Sequence, residues 1–316
     1  MRNNRAHFRG CLLGLAVGDA LGAPLEWMEA PVIQRKHGRV TEMIGGGWLK
    51  VLPGQTTDDT QQTILLAESL LQNDAFAPDD IAERLVAWFD TNPPDIGNHT
   101  RAVLARIKGV GAKGNSAPGT QTTDWKTASL AVQRSSPSAA GNGSVMRCAP
   151  IALFDWQDTS TRIEHSRVQS EITHAHQECQ WSCAIVTSFL AHAVTTGIRD
   201  AALDRALEEC KDAPGHIRKR VTVATGKSRN ELNPTGYVLD TVDCAIWALM
   251  NTYTFEEALV EAVNLGGDTD TIGAVCGALA GAFYGEADIP PRWLEKLHDR
   301  ERIAGLADKL ADRHGL

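Results

Sequence analysis

The sequence predicts an all-α fold, and three observations lead there. Apolar residues recur at helical spacing along most of the chain, as in Ile64, Leu65, Leu66, Leu70 and Leu71, or Ile272, Val275, Leu279 and Phe283. Helix-start signals precede several of these runs, and convincing period-two runs are almost absent. At 316 residues the chain is long enough for two domains. It has no tandem repeat and no low-complexity linker, so residues 1–316 are expected to form one compact domain.

The elements follow in order. The first helix is expected over 8–22. Ala23 to Gln55 reads as irregular, rich in Gly and Pro. The next helix starts at Thr57 or Asp58. Pro78-Asp79-Asp80 is a Pro-and-acid start for Ile81, Leu85, Trp88 and Phe89. Further helices are expected over 98–108, 123–134, 145–154, 160–171, 177–195, 200–211, 236–251, 255–264, 268–283 and 300–312, with a short one over 216–225. Thr254-Phe255-Glu256-Glu257 has the form of a capping box.

Composition narrows the function classes. A net charge of −8 and a pI near 5.7 disfavour nucleic acid or an anionic membrane as the main partner. The seven cysteines are odd in number and mostly set among apolar residues, which predicts reduced, buried thiols and a cytoplasmic location. Arg2, Arg5 and Arg9 before an apolar run resemble a signal peptide, but Asp19 stops the run and the same residues read as a core helix. No stretch reaches the roughly 18 uninterrupted apolar residues of a membrane span. A monomer is expected.

The chemistry concentrates at two acidic helix starts. Gly266-Gly267-Asp268-Thr269-Asp270-Thr271 opens a buried helix with Asp268 as its expected N-cap, and Thr56-Thr57-Asp58-Asp59-Thr60 opens another. Capping alone requires one Asp or Thr per helix. If the clusters meet, their carboxylates repel unless a cation neutralises them. The hard oxygen donors suit Mg²⁺, Mn²⁺ or Ca²⁺ and disfavour zinc. Gly273, Gly277 and Gly281 recur at every fourth position, a stripe along which another backbone can approach, bringing this cluster against its counterpart.

The loops offer further candidates. Gly141-Asn142-Gly143-Ser144, before a helix expected to begin at Val145, presents backbone N–H groups and a hydroxyl that can hold phosphate. His174-Ala175-His176 with Cys179 and Cys183 fits no common zinc spacing. From the residues alone, Glu26 between Pro24 and Pro31 reads as a solvated side chain. Asp95 after Asn92-Pro93-Pro94 reads as a turn residue, and Tyr237 as a core tyrosine.

Gly18-Asp19-Ala20-Leu21-Gly22, Glu26, Thr57-Asp58-Asp59-Thr60, Gly141 to Arg147, Thr173-His174 and Gly266 to Thr271, in that order, resemble the ADP-ribosylglycohydrolase family over nearly the whole chain. The resemblance implies a multi-helix orthogonal bundle and two divalent metal ions, Mg²⁺ or Mn²⁺, held by Thr57, Asp58, Asp59, Asp268, Asp270 and Thr271. It implies that Gly141, Asn142, Gly143 and Ser144 hold the diphosphate of ADP-ribose and that His174 touches the same ligand. Tyr237 is similar to a family tyrosine beside the adenosine, Glu26 to a mobile glutamate that closes over the metals, and Asp95 to an acid near the scissile bond. Glu26 and Asp95 are therefore the catalytic candidates. Where the family continues with apolar residues, this chain has Gln61-Gln62-Thr63, which either changes the helix packing or adds hydrogen bonds near the metals.

The expected activity is metal-dependent removal of ADP-ribose from a modified protein by cleavage of its N-glycosidic bond to arginine, with ADP-ribose as product. Other linkages (serine, nucleic acid or a free ADP-ribose derivative) stay open. So does a binding or structural scaffold, since one branch of the family resembles a lens crystallin, and so does a phosphoesterase using the same metals. Four retained carboxylates argue against a purely structural role.

Overall fold

A computed structural model describes residues 4–110 and 123–316. Its helices are α1 (Asn4–Gly22), α2 (Ala30–His37), α3 (Asp58–Asn73), α4 (Pro78–Asp90), α5 (Asn98–Ile107), α6 (Trp125–Ser135), α7 (Ala149–Phe154) and α8 (Thr159–Glu171). They continue as α9 (Gln177–Thr196), α10 (Arg199–Glu209), α11 (Gly215–Ala224), α12 (Val238–Met250), α13 (Phe255–Val263), α14 (Thr269–Tyr284), α15 (Pro291–Leu294) and α16 (Arg300–Asp312). The only sheet among the described residues is a two-stranded antiparallel pair, β1 (Met28–Glu29) with β2 (Gly266–Gly267). The fold is all-α, as the helical spacing predicts.

The centre is the pairing of α1 with α14, the most extensive helix–helix contact in the fold. Gly10, Gly14 and Gly18 on α1 face Gly281, Gly277 and Gly273 on α14, backbone against backbone. A Cβ on Gly14 would lie 2.3 Å from the Gly277 carbonyl oxygen, and one on Gly273 would lie 2.4 Å from that of Gly18. The backbone that approaches the α14 glycine stripe is thus that of α1. Each glycine weakens its own helix by about 1 kcal/mol relative to Ala, which the close contact offsets.

α1 is long and apolar enough to cross a membrane by length and composition, yet 94% of its most apolar window is buried in this core. Of the basic residues at the start of the chain, Arg2 lies outside the described residues. Arg5 and Arg9 pair with acids of α16 and with Glu286. All seven cysteines are buried and free, as their apolar settings predict.

The structure corrects several expectations. α2 and the β1–β2 pair lie in the segment read as irregular, or at its partner, and each is too short for periodicity to reveal. Val145 does not start a helix: residues 141–147 form turns, and the helix begins at Ala149, with Pro150 in its first turn. Only half of the capping box at α13 forms. Thr254 accepts the Glu257 N–H, while the Glu257 carboxylate takes the N–H of Tyr253.

Candidate active site

The two acidic helix starts meet, and α1 joins them. Asp19, in the last turn of α1 and fully buried, accepts hydrogen bonds from the backbone N–H of Thr57 (3.0 Å) and of Thr60 (3.1 Å) and from both hydroxyls. It supplies the N-terminal cap that Thr57 does not make for α3 with its own side chain. The expected cap at the second cluster is also absent. Asp268 makes no capping bond; its Oδ2 accepts from Asn142 Nδ2 at 2.8 Å, and Asp270 Oδ1 instead takes the N–H of Thr271.

The β1–β2 pair brings Glu26 to the same place. Trp27 N–H donates to the Gly267 carbonyl at 2.8 Å, and Met28 and Glu29 pair with Gly267 and Gly266. Both glycines have positive φ, and a Cβ on Gly267 would lie 1.8 Å from the Pro234 carbonyl, so no side chain fits this turn. Glu26 is consequently 6% exposed, not solvated, and accepts from Trp48 Nε1 at 2.5 Å. One carboxylate oxygen each from Glu26, Asp268 and Asp270 lies within 4.8 Å of the others. Asp58 lines the same cavity as this trio and accepts from Gln62, and Asp59 Oδ1 is buried without a partner.

A cavity of about 470 Å³ opens above these acids. It is lined by Glu26, Trp27, Trp48, Asp58, Asp95, His99, Gly141, Asn142, Gly143, His174, Asp268, Asp270 and Thr271. Its size is that of a small-ligand site. A larger groove of about 680 Å³ between α3, α4 and α16 is lined by ion pairs such as Arg302–Glu68 and gathers no acid cluster. Asp95 reaches the cavity from the 91–97 turn, with its Oδ2 buried and unpartnered.

The loop side is less uniform than the sequence implies. Gly141, Asn142 and Gly143 line the cavity, but the Ser144 hydroxyl is fully buried against Ser170 Oγ at 2.8 Å and faces away. His174 lies under the two glycines. Thr173 Oγ1 accepts from Arg147 Nη2 at 2.8 Å and is hydrogen-bonded to His174 Nδ1 at 2.9 Å, which fixes the imidazole ring in place. Tyr237 is not among the lining residues; its hydroxyl donates to Glu178 at 2.7 Å, and its backbone bridges to Gly141. His176 caps α9 by accepting the Glu178 N–H, and Cys179 donates to the Gly141 carbonyl, so neither belongs to a zinc site.

Electrostatics follow from packing so many acids together. Burial pushes Glu26 up to about 8, assisted by repulsion from Asp95 and Asp268 and opposed by the Trp48 bond. Burial likewise raises Asp95 to about 6, with Asp19 and Asp268 adding repulsion. Asp19 rises to about 6 by burial, against its hydrogen bonds from Thr60 and Thr57. Asp58, Asp59 and Asp270 stand well above the usual carboxylate range, first through burial and then through repulsion, led by Asp95 on Asp58, Asp19 on Asp59 and Asp268 on Asp270. Burial, with His99 and Arg147 adding repulsion, lowers His174 well below the usual imidazole range. Such a set fits hard divalent cations: oxygen donors only, converging, with an orphaned carboxylate oxygen in place.

Sequence reasoning missed Asp19 as a cap, Trp48 on Glu26, and His99, whose ring packs 5.0 Å from that of His174. Asp19 lies within Gly18-Asp19-Ala20-Leu21-Gly22, where its charge interrupts an apolar helix. Gln62, by contrast, shows the added hydrogen bonds its polar substitution implies, donating to Asp58 and accepting from Arg147 at 2.7 Å.

The ADP-ribosylglycohydrolase family profile matches residues 1–316, and the chain belongs to that family. It is 34% identical over 314 residues to an ADP-ribosylarginine hydrolase, Tri1, of Pseudomonas putida, covering 96% of this chain and 78% of that one. It is 33% identical to the ADP-ribosyl-[dinitrogen reductase] glycohydrolase of Rhodospirillum rubrum, covering 91% and 89%. A solved structure titled as an ADP-ribosylglycohydrolase-related protein complex superposes with a TM-score of 0.78 at 35% identity, covering 97% of each chain.

Proposed function

We propose that this protein hydrolyses the N-glycosidic bond between ADP-ribose and an arginine side chain of a modified protein. The observation that supports this most directly is the convergence of Glu26, Asp268 and Asp270 within 4.8 Å, in a chain similar over 96% of its length to a relative named as an ADP-ribosylarginine hydrolase. Thr57, Asp58, Asp59, Asp268, Asp270 and Thr271 would hold two divalent cations, Mg²⁺ or Mn²⁺, with Glu26 beside them. Such ions neutralise the acids, bind hydroxyls and lower the pKa of a bound water.

The remaining roles belong to side chains. Cleavage develops positive charge at the anomeric carbon, water supplies the new C–O bond, and the guanidine leaves and takes up a proton. Glu26 and Asp95, both lining the cavity, are set to accept the proton from water and return one to the leaving nitrogen. His174 and the Gly141–Gly143 backbone line the cavity in which a diphosphate would sit, and Asn142 holds Asp268 in orientation. Tyr237 and Ser144 would act from behind, by fixing the loop.

Product analysis tests the reading. Arginine-, serine- and nucleic-acid-linked ADP-ribose are each incubated with protein and Mg²⁺ or Mn²⁺. Free ADP-ribose with unmodified arginine is the expected outcome. AMP would mark a phosphoesterase, and tight ADP-ribose binding without turnover on any substrate would mark a binding scaffold.

A further inference from the structure

Among the described residues, seven large hydrophobics are exposed, and four of them, Trp27, Ile44, Trp48 and Leu52, fall within one short stretch beside the site. Trp27 is 69% exposed and Trp48 50%, and both line the mouth of the acid cavity. Neither position is casual. Trp27 has φ 64°, a left-handed conformation unfavourable for a bulky residue, and is held there by its N–H bond to Gly267 next to Asp268. Trp48 stands at the tip of a turn closed by the Gly46–Val51 bridge. The adjacent Gly47 is in contact with the Pro24 backbone, where a Cβ would meet Pro24 Cα at 2.8 Å.

Two rigidly seated, solvent-facing indoles beside a cavity need a partner that benefits from their faces. The third feature of the mouth is Asp95, whose buried Oδ2 has no partner. A planar cation satisfies all three, because a guanidinium stacks on indole and donates two parallel N–H bonds to a carboxylate. Of the charged residues lining the cavity, Arg101 is the one base against five acids.

We infer that Trp27 and Trp48 form an aromatic collar that grips the still-cationic guanidinium of the modified arginine, with Asp95 accepting from its outer N–H groups. The collar selects the arginine linkage, whereas the loop around His174 binds the ADP-ribose half. This inference rests on the arginine reading given above. Trp27 and Trp48 are specificity residues, since they meet the leaving group and take no proton.

The test compares Trp27→Leu and Trp27→Phe with wild type in steady-state hydrolysis of an ADP-ribosylarginine peptide, with calorimetric titration of free ADP-ribose on the same preparations. Trp27→Leu should raise KM about five- to thirty-fold, the range of a lost partly desolvated cation–π contact. Trp27→Phe should recover most of the loss, and the Kd for free ADP-ribose should stay within twofold in both. Unchanged KM in Trp27→Leu, or equal weakening of free ADP-ribose, overturns the collar while leaving the arginine reading intact. If wild type itself releases no arginine, the reading fails first and the collar with it.

Discussion

Asp19 and Thr57, 38 residues apart in sequence, are joined by two bonds in the structure: the carboxylate of one helix accepts both the backbone N–H and the hydroxyl of the residue that opens another, each at 3.0 Å. α1 is thereby tied at its last turn to α3, and along its glycines to α14. The two acidic helix starts are assembled through this intermediary. Asp19→Ala leaves the Thr57 and Thr60 N–H groups buried without acceptors. It should destabilise the protein by about 2–4 kcal/mol in chemical denaturation. A change under about 0.5 kcal/mol would mean that the cap is not what holds α3.

The glycine stripe makes a steric prediction with an internal control. Gly14→Ala or Gly277→Ala forces α1 and α14 apart, since each new Cβ would lie 2.3 or 2.0 Å from a facing carbonyl oxygen. A loss of roughly 2 kcal/mol or more is expected despite the better helix propensity of Ala. Gly305→Ala in α16, where a Cβ would meet nothing within 4 Å, should gain up to about 1 kcal/mol. Thermal denaturation of the three variants side by side decides it; equal behaviour would refute close backbone contact.

Stability should depend on pH with an unusual sign. Glu26 and Asp95 hold protons more tightly folded than unfolded, with folded values of about 8 and about 6. Their contribution is therefore fully present below about pH 4 and is lost as pH rises through those values. Metal-free protein should lose stability between about pH 5 and pH 8, Glu26→Gln should flatten the upper part of that slope, and added Mg²⁺ or Mn²⁺ should offset it. A metal-free melting temperature that rises across this window would contradict the electrostatics.

Glu26→Gln separates chemistry from binding. The amide keeps the size of the side chain and can still meet Trp48, but it neither accepts nor delivers a proton at neutral pH. ADP-ribose affinity by calorimetry should be nearly wild-type, while turnover on an arginine-linked substrate falls by ~10²–10⁴-fold. Retained turnover would transfer the acid–base role to Asp95.

Much of this site is legible in the sequence, and the reasons differ from residue to residue. Asp58, Asp59, Asp268 and Asp270 stand out because they exceed what capping requires, and the α14 glycines because helical interiors avoid Gly. Glu26 is misread from its surroundings because burial comes from a two-residue strand pair with a segment about 240 positions away, too short to leave a periodic trace. Ser144 looks like a ligand-facing hydroxyl in any Gly-rich loop; only the packing of α8 and α9 around Ser170 and Cys183 turns it inward. Asp19 reads as an interruption of an apolar helix, and its purpose depends on a second helix that the local sequence does not mention.

Metal dependence is the property of this acid cluster that experiment reaches most directly. Protein stripped with a chelator, then titrated with Mg²⁺ or Mn²⁺, should be inactive on ADP-ribosylarginine until the ion is restored. Asp270→Ala should stay inactive at every ion concentration, while its metal-free stability holds or rises as repulsion is relieved. Undiminished hydrolysis by the stripped wild-type protein, or full activity of Asp270→Ala with added ion, would contradict the assignment of this acid cluster as the metal site.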